Sequence, residues 1–364
     1  MSGPPVSVAP LLVDGQAPQV TVEATLLRVD GSAAPLPVVA AERSSSAGQI
    51  ARHELRVTVP PLDPPVDWLA GHSIAVRTGI RAGGSWAWAP QGVCRVVAAP
   101  RDPDTGGTYL VARSWEELVR RADLLVDVEV SGSAVGAIAG LLQGAVPGAS
   151  LVVLVDDVTI PTMLLPSGQD GSRWAAVEAV SVACGWRVWC DLDGAFVVGV
   201  RAGFEGDPDW TIRAGVNAAS WSAGRVDDDT LNVVAVRDQA RRYSGVAVDD
   251  RPGSTTFVGA DVVAAVRAGR GIAAMPGTFG VYARVVELDG IDSDAAATAA
   301  AVGILAGACS TAREIDADAA WQPWADVDDR VLVDLDGTPV IELVDAVTVP
   351  LTDLASPMRL ELRA

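Results

Sequence analysis

Polar and apolar residues alternate through residues 21–26 and again through 53–59, the two-residue period of a half-buried strand. Pro60, Pro61, Pro64 and Pro65 end the second run, because proline has no N–H to give to a ladder. Residues 73–80 read as a further strand and Gly83-Gly84 as a turn. Residues 85–88, 92–97 and 108–112 read as three more strands, the last entered through Asp104-Thr105-Gly106-Gly107. Short strands with turn signals about every ten residues predict an antiparallel barrel or sandwich.

The period changes at Ser114. Ser114 followed by Glu117 reads as a capping box, a hydroxyl with a glutamate three residues on. Residues 133–143 carry small and apolar side chains at helical spacing and stop at Gly144, with Pro147 beyond. A short apolar strand, 151–155, precedes a second helix that begins near 170–174 and runs to Ala183, with Gly185 as its stop. Residues 186–190 and 195–200 form a hairpin around Asp191-Leu192-Asp193-Gly194. Beyond it, 231–236 and 243–248 pair, Asp292-Ser293-Asp294 caps an alanine-rich helix over 295–308, and 330–334, 339–344 and 358–362 are strands. The expected fold is mainly β with an α+β insert: an antiparallel β-barrel over 1–113, an α/β domain over 114–202, and a second β-barrel over 203–364 with a helical insertion around 260–311.

Charge adds an asymmetry. The 364 residues hold 27 basic and 46 acidic side chains, a net of −19. Residues 1–125 hold 11 Arg and 12 acids (−1), and 126–364 hold 16 Arg and 34 acids (−18). The neutral first third is the better candidate for packing on partners, since packing desolvates charge. Such an acidic balance argues against sequence-independent DNA binding. Every basic residue is Arg, which removes Schiff-base chemistry and the phosphate-loop lysine. The first residues have no basic start and no long apolar run, so no signal peptide is expected. The apolar stretch 295–308 is shorter than the roughly 20 residues a bilayer span needs, so no membrane span is expected either.

Candidate chemistry is thin. His53 and His72 are the only possible imidazole bases, and neither accompanies a nucleophile motif. The acidic groups Asp156-Asp157, Asp227-Asp228-Asp229, Asp249-Asp250 and Asp328-Asp329 are adjacent in sequence. Neighbours on a strand point to opposite faces and cannot flank one bond. Asp191/Asp193 and Asp334/Asp336 lie at Asp-Gly turns, where aspartate bonds its own backbone and the glutamate of a calcium loop is missing. Cys94, Cys184, Cys190 and Cys309 read as buried free thiols, with Cys184 and Cys190 close enough to be bridged in principle. No catalytic residue, cofactor or metal is expected. Eleven tryptophans stand against three tyrosines and four phenylalanines. Trp86 and Trp88 share one strand face, suited to a subunit interface or core, and alternatively to a sugar.

A resemblance runs through the chain in order. It is carried by Pro65-Val66-Asp67-Trp68 with Gly71, Ile74-Ala75-Val76, Gly79-Ile80 and Trp88-Ala89-Pro90-Gln91-Gly92-Val93. It continues in Arg173-Trp174-Ala175-Ala176-Val177, Ala183-Cys184-Gly185-Trp186 and Asp191-Leu192-Asp193-Gly194-Ala195-Phe196-Val197-Val198. Leu231-Asn232-Val233-Val234-Ala235-Val236, Ala247-Val248-Asp249-Asp250, Thr278-Phe279-Gly280, Val347-Thr348-Val349-Pro350-Leu351-Thr352 and Met358-Arg359-Leu360-Glu361-Leu362-Arg363 complete it. In these the chain resembles the tail hub, or baseplate hub, proteins of tailed bacteriophages, also called minor tail proteins.

The resemblance implies a structural virion protein without enzymatic activity. It implies a homotrimer whose two tail-tube-like β domains per chain make a pseudo-sixfold ring at the tail tip, assembled in the bacterial host cytoplasm. Its expected partners are a distal tail protein, a tape measure protein and tail fibre or spike proteins. DNA would pass through the ring without specific binding, and acidic residues of the later domains would face the lumen in part, repelling it. Two rival readings are a binder of host-surface glycan through Trp86 and Trp88, and a cell-wall hydrolase with two facing carboxylates.

Overall fold

The computed structural model describes residues 19–62, 66–82, 85–167, 171–204, 206–224, 231–239, 242–251, 264–265, 268, 281–308, 314–335, 337, 339–353 and 355–363. The chain is mostly β. Its first part supplies β1 (Gln19–Leu27), β2 (Ala33–Leu36), β3 (Ala40–Ser46), β4 (His53–Val59), β5 (Ser73–Ala82), β6 (Ser85–Ala98) and β7 (Thr108–Arg113). Its last part supplies β13 (Trp210–Arg213), β14 (Ala218–Gly224), β18 (Glu314–Ala319), β19 (Arg330–Asp334), β20 (Val340–Pro350) and β21 (Met358–Arg363). The two sets are one sheet, in the order β14-β18-β21-β20-β3-β4-β7-β6-β5-β1-β2, with β19 on β20 and β13 on β19. The joint is β3 on β20, antiparallel from Glu42 opposite Pro350 to Ser46 opposite Ala346. Every pairing in it is antiparallel except β13 with β19.

Alternation explains why this sheet holds. Leu55, Val57, Leu110 and Ala112 from the first part and Ile315, Val347, Leu360 and Leu362 from the last point the same way, into one shared core. The opposite face stays polar. It hollows into an open cavity of about 640 Å³ lined by Glu42, Ser44, Arg56, Tyr109, Thr348 and Arg359, among others.

Two smaller units sit off this sheet. The first holds α1 (Glu116–Arg121), β8 (Val128–Ser133), α2 (Ala134–Gln143), β9 (Leu151–Val153), β10 (Thr159–Leu165), α3 (Arg173–Ala183), β11 (Arg187–Cys190) and β12 (Phe196–Gly199). Ser133 and Ser172 cap α2 and α3, accepting from Gly136 N and Ala175 N, and Ile138, Leu142, Trp174, Val177, Phe196 and Val198 share its core. The second holds β15 (Val233–Asp238), β16 (Ser244–Val248), β17 (Ala283–Leu288) and α4 (Asp294–Ala308), with Val234, Val236, Ala297, Ala301 and Leu305 in its core. Alanine and glycine let its elements approach closely. A Cβ on Gly245 would stand 2.1 Å from Thr298 N of α4. Among the described residues no helix is long and apolar enough to cross a membrane.

Several local expectations change. Residues 85–88 and 92–97 are one fourteen-residue strand, because Gly92 at φ +136 shifts the register and bends the strand without ending it. The β15–β16 hairpin lies off the main sheet, paired in parallel with β17. β3 has no sequence expectation, since its inward positions include Arg43 and Ser45. Ser114 does not cap α1: its hydroxyl accepts from His53 N at 3.1 Å, and α1 lacks a side-chain cap. Cys94, Cys184 and Cys190 are free thiols, so Cys184 and Cys190 are not bridged. Asp227-Asp228-Asp229, Thr278-Phe279-Gly280, Pro64, Pro65, Asp336 and Cys309 lie outside the described residues.

The α4–β16 contact makes a sharp test. Gly245→Ala forces backbone apart where no side chain can yield, so it lowers unfolding free energy by about 2 kcal/mol or more in urea denaturation.

Candidate functional site

Two places concentrate aromatic or charged side chains. The first is the β5–β6 hairpin. Pairing sets Arg81 opposite Trp86, Gly79 opposite Trp88 and Arg77 opposite Pro90. The Trp86 and Trp88 rings stack with centroids 5.8 Å apart and planes 28° apart. Gly79 creates the space: a Cβ there would meet the Trp88 ring at 2.8 Å. The Arg77 guanidinium lies 4.3 Å from the centre of that ring and also bonds Glu23. Trp88 is half-buried and Trp86 is 40 % exposed, so the pair forms a flat rim on the outer face and not a core.

The second place is a buried ionic cluster around the loop that joins β18 to β19. Asp328, the only described non-glycine residue with positive φ (+68), turns its carboxylate inward. Arg52 Nη1 donates to its Oδ2 at 3.1 Å and Arg363 Nη2 to its Oδ1 at 2.9 Å. Arg201 Nε lies 3.5 Å and Arg187 Nη1 3.9 Å from the same carboxylate. Asp345 accepts from Arg201 Nη2 at 3.1 Å and pairs with Arg363. Arg52 Nη2 also donates to Val327 O at 2.6 Å, Gln91 Nε2 to Pro323 O at 2.9 Å, and the fully buried Arg43 to Ala325 O. One loop is thus gripped by the first strands, the α/β unit, the connection after it and the last strand.

His53 belongs to this cluster. Its Nε2 faces Cys190 O at 3.0 Å, which only accepts, so Nε2 carries the proton and Nδ1 accepts from the Ser45 hydroxyl at 2.8 Å. Both ring nitrogens are used structurally, which leaves no base for a nucleophile. Burial pushes the ring down to about 4. Burial, with Asp326 nearby, pushes the Asp329 carboxyl up to about 7; Trp210 Nε1 donates to it at 3.1 Å. Glu116, also raised by burial, accepts from Cys190 N at 2.7 Å. Asp328 and Asp329 diverge as adjacent residues do. Asp191 binds its own turn, accepting from Ala195 N at 2.8 Å. His72 is in the turn before β5, away from His53. Among the described residues no group of three or more His, Cys, Asp or Glu side chains is placed to hold a metal ion.

Sequence reasoning placed Trp86 and Trp88 on one strand face and missed the ionic cluster. The cluster's members are scattered from Arg43 to Arg363, and the inward phase of Arg43 shows only once β3 is placed in the sheet.

No family model matches the chain, and no curated protein matches it by sequence. Solved structures do match. A tail protein of Neisseria meningitidis MC58 superposes with a TM-score of 0.64 at 15% identity, over 94% of this chain and 96% of that one. The chain has the fold of a phage tail protein. The 43 kDa tail protein of prophage MuSo2 from Shewanella oneidensis matches this tail-protein fold with a TM-score of 0.58 at 9% identity, over 94% of this chain and 98% of that one. Prophage tail protein gp18 of Listeria monocytogenes EGD-e gives 0.57 at 8% identity, over 94% of each chain. The tail-protein fold therefore extends over nearly the whole chain.

Two measurements test the cluster of this tail-protein fold. Asp328→Ala strips the buried Arg52 and Arg363 and the half-buried Arg201 and Arg187 of their anion and costs about 3 kcal/mol in chemical denaturation. The pH dependence separates His53 from Asp329. His53, about 4 when folded against 6.5, contributes stability that is complete above pH 6.5 and lost as pH falls to about 4. Asp329, about 7 against 3.8, acts oppositely: its contribution is present below pH 3.8 and lost as pH rises towards 7. The two oppose each other, so single variants unmask them. Relative to the parent, His53→Gln gains stability at pH 4 over pH 7, and Asp329→Asn gains it at pH 7 over pH 4, each by a few kcal/mol.

Proposed function

We propose that the chain is a structural, non-catalytic subunit of a phage tail tip: a trimeric hub that joins the tail tube or distal tail protein to the tip and surrounds the channel for tape measure and DNA. The observation that carries this reading is the match of nearly the full length of both chains to proteins described as phage tail proteins. The division at 1–113, 114–202 and 203–364 enters as two ring-forming β parts and an insert, with the β parts sharing a core. Trp86 and Trp88 serve as a contact rim for a neighbouring tail protein, as their stacked, partly exposed rings beside Arg77 suit. Tail fibre or spike proteins complete the partners, and the site of action is the virion tail tip.

The hollow polar face of the sheet is the surface suited to line the channel. Its charges alternate in sign: Arg56 contacts Glu42 and Glu54, Arg113 contacts Glu54, and Arg359 approaches Asp318. DNA meets a wall whose arginines are already paired, with threonine and serine between them. Passage without retention then follows from compensation, with no need for a uniformly acidic lumen.

Native mass spectrometry of the full chain is expected to give three copies, and cryo-electron microscopy of a tail tip to place them in one ring. A chain that stays monomeric in solution and at the tip overturns the proposal.

A further inference from the structure

The long sheet ends in two open edges. At one end β14 has, among the described residues, one ladder, with β18, and a single bridge from Ala218 to Ala214. From Ala219 to Gly224 every residue of β14 is exposed, so both of its faces are uncovered. The strand reads Ala-Ala-Ser-Trp-Ser-Ala-Gly and has neither charge nor proline, the devices that keep an edge from pairing. Trp221 is 44 % exposed. At the other end β2 covers β1 only over residues 24–27. Residues 19–23 of β1 have β5 on one side and, among the described residues, no strand on the other.

The faces of these edges agree in phase and charge. Trp221 and Ala223 stand opposite Ala317 and Ile315, which places them on the core side. Val20 and Val22, in phase with buried Ala24, lie on the core side of β1. On the outer side, Ser220 and Ser222 donate to Asp318 and Asp316, and Arg359 lies 4.0 Å from Asp318. The outer side of the β1 edge presents Gln19, Thr21 and Glu23, backed in register by Arg81, Gly79 and Arg77. Glu23 is occupied by Arg77, and Arg81 donates to the neutral Gln19 at 3.3 Å, so this strip is net positive.

We propose that the two edges are halves of one contact between copies: β14 of one copy adds to residues 19–23 of β1 in the next. The inference rests on the trimeric reading above and assigns its interface. Trp221 then covers Val20 and Val22 of the neighbour, while Asp316 and Asp318 share the outer face with Arg81, three strands across. Main-chain pairing satisfies edge groups that have no strand partner among the described residues. Because the two edges differ, the contact is heterologous, and three of them close a ring. A second copy is the occupant because both complementary halves, matched face by face, are present in this chain.

Sedimentation of the full chain tests this. Trp221→Asp and Arg81→Glu are each expected to raise the concentration at which the trimer dissociates by about tenfold or more. Their melting is expected to stay unchanged, since both side chains are exposed in the single chain. A trimer that neither Trp221→Asp nor Arg81→Glu weakens overturns the edge assignment and leaves the trimeric reading intact. A parent chain that is monomeric throughout overturns the trimeric reading, and the assignment with it.

Discussion

The carboxylate of Asp328 is the point on which the rest of the molecule turns. Arg52 comes from the turn before β4, Arg187 from the start of β11, Arg201 from the connection after β12 and Arg363 from the end of β21. They come from four different places along the fold, and each is brought in only when its own element has formed. Taking such charges out of water costs several kcal/mol per ion, recovered only when geometry and hydrogen bonds are complete. A partly assembled cluster is therefore unfavourable. The units must close on the β18–β19 loop together or not at all.

That constraint explains the arrangement of the sheet. β3 and β20 pair across about three hundred residues, and the shared core draws on both ends of the chain. Apolar burial drives this closure but does not choose register or orientation, because it is non-directional. The β3–β20 ladder fixes register. The ionic cluster fixes how the α/β unit sits against the sheet: His53 on β4 reaches Cys190, the last residue of β11, and Arg187 at the start of β11 reaches Asp328.

Where the sequence was legible, the signal was local. The 53–59 strand, the helical spacing of α2, the stop of α3 at Gly185 and the Asp191–Gly194 turn depend on alternation, period or a glycine at positive φ, all read within a few residues. β3 was invisible because its inward positions carry Arg43 and Ser45, which invert the expected pattern. Ser114 looked like a cap because the rule sees Glu117 and not His53, whose backbone N–H takes the hydroxyl. The single sheet and the ionic cluster were out of reach for one reason: both are made of pairings between residues that no window along the chain contains. Trp86 and Trp88 were legible as a pair. Their use as a rim depends on Gly79, which lies on the neighbouring strand and leaves space for the Trp88 ring.

The absence of lysine acquires a structural meaning at this cluster. Arg52 spans the Asp328 carboxylate and the Val327 carbonyl; Arg363 and Arg201 each span Asp328 and Asp345. A guanidinium does this because its donors leave a rigid plane in fixed directions, so one side chain holds two acceptors at a set angle. An ammonium is a point charge on a flexible stem, more strongly hydrated and costlier to bury, and it fixes no angle between its partners. The same property operates on the outer face, where Arg77 lies flat on Trp88 while bonding Glu23, and Arg56 bridges Glu42 and Glu54. In a chain with a net charge of −19, cations that each engage more than one partner keep the acidic residues paired without adding further positive charge to the surface. The charge left over is free to stay at the rims and loops, where water screens it.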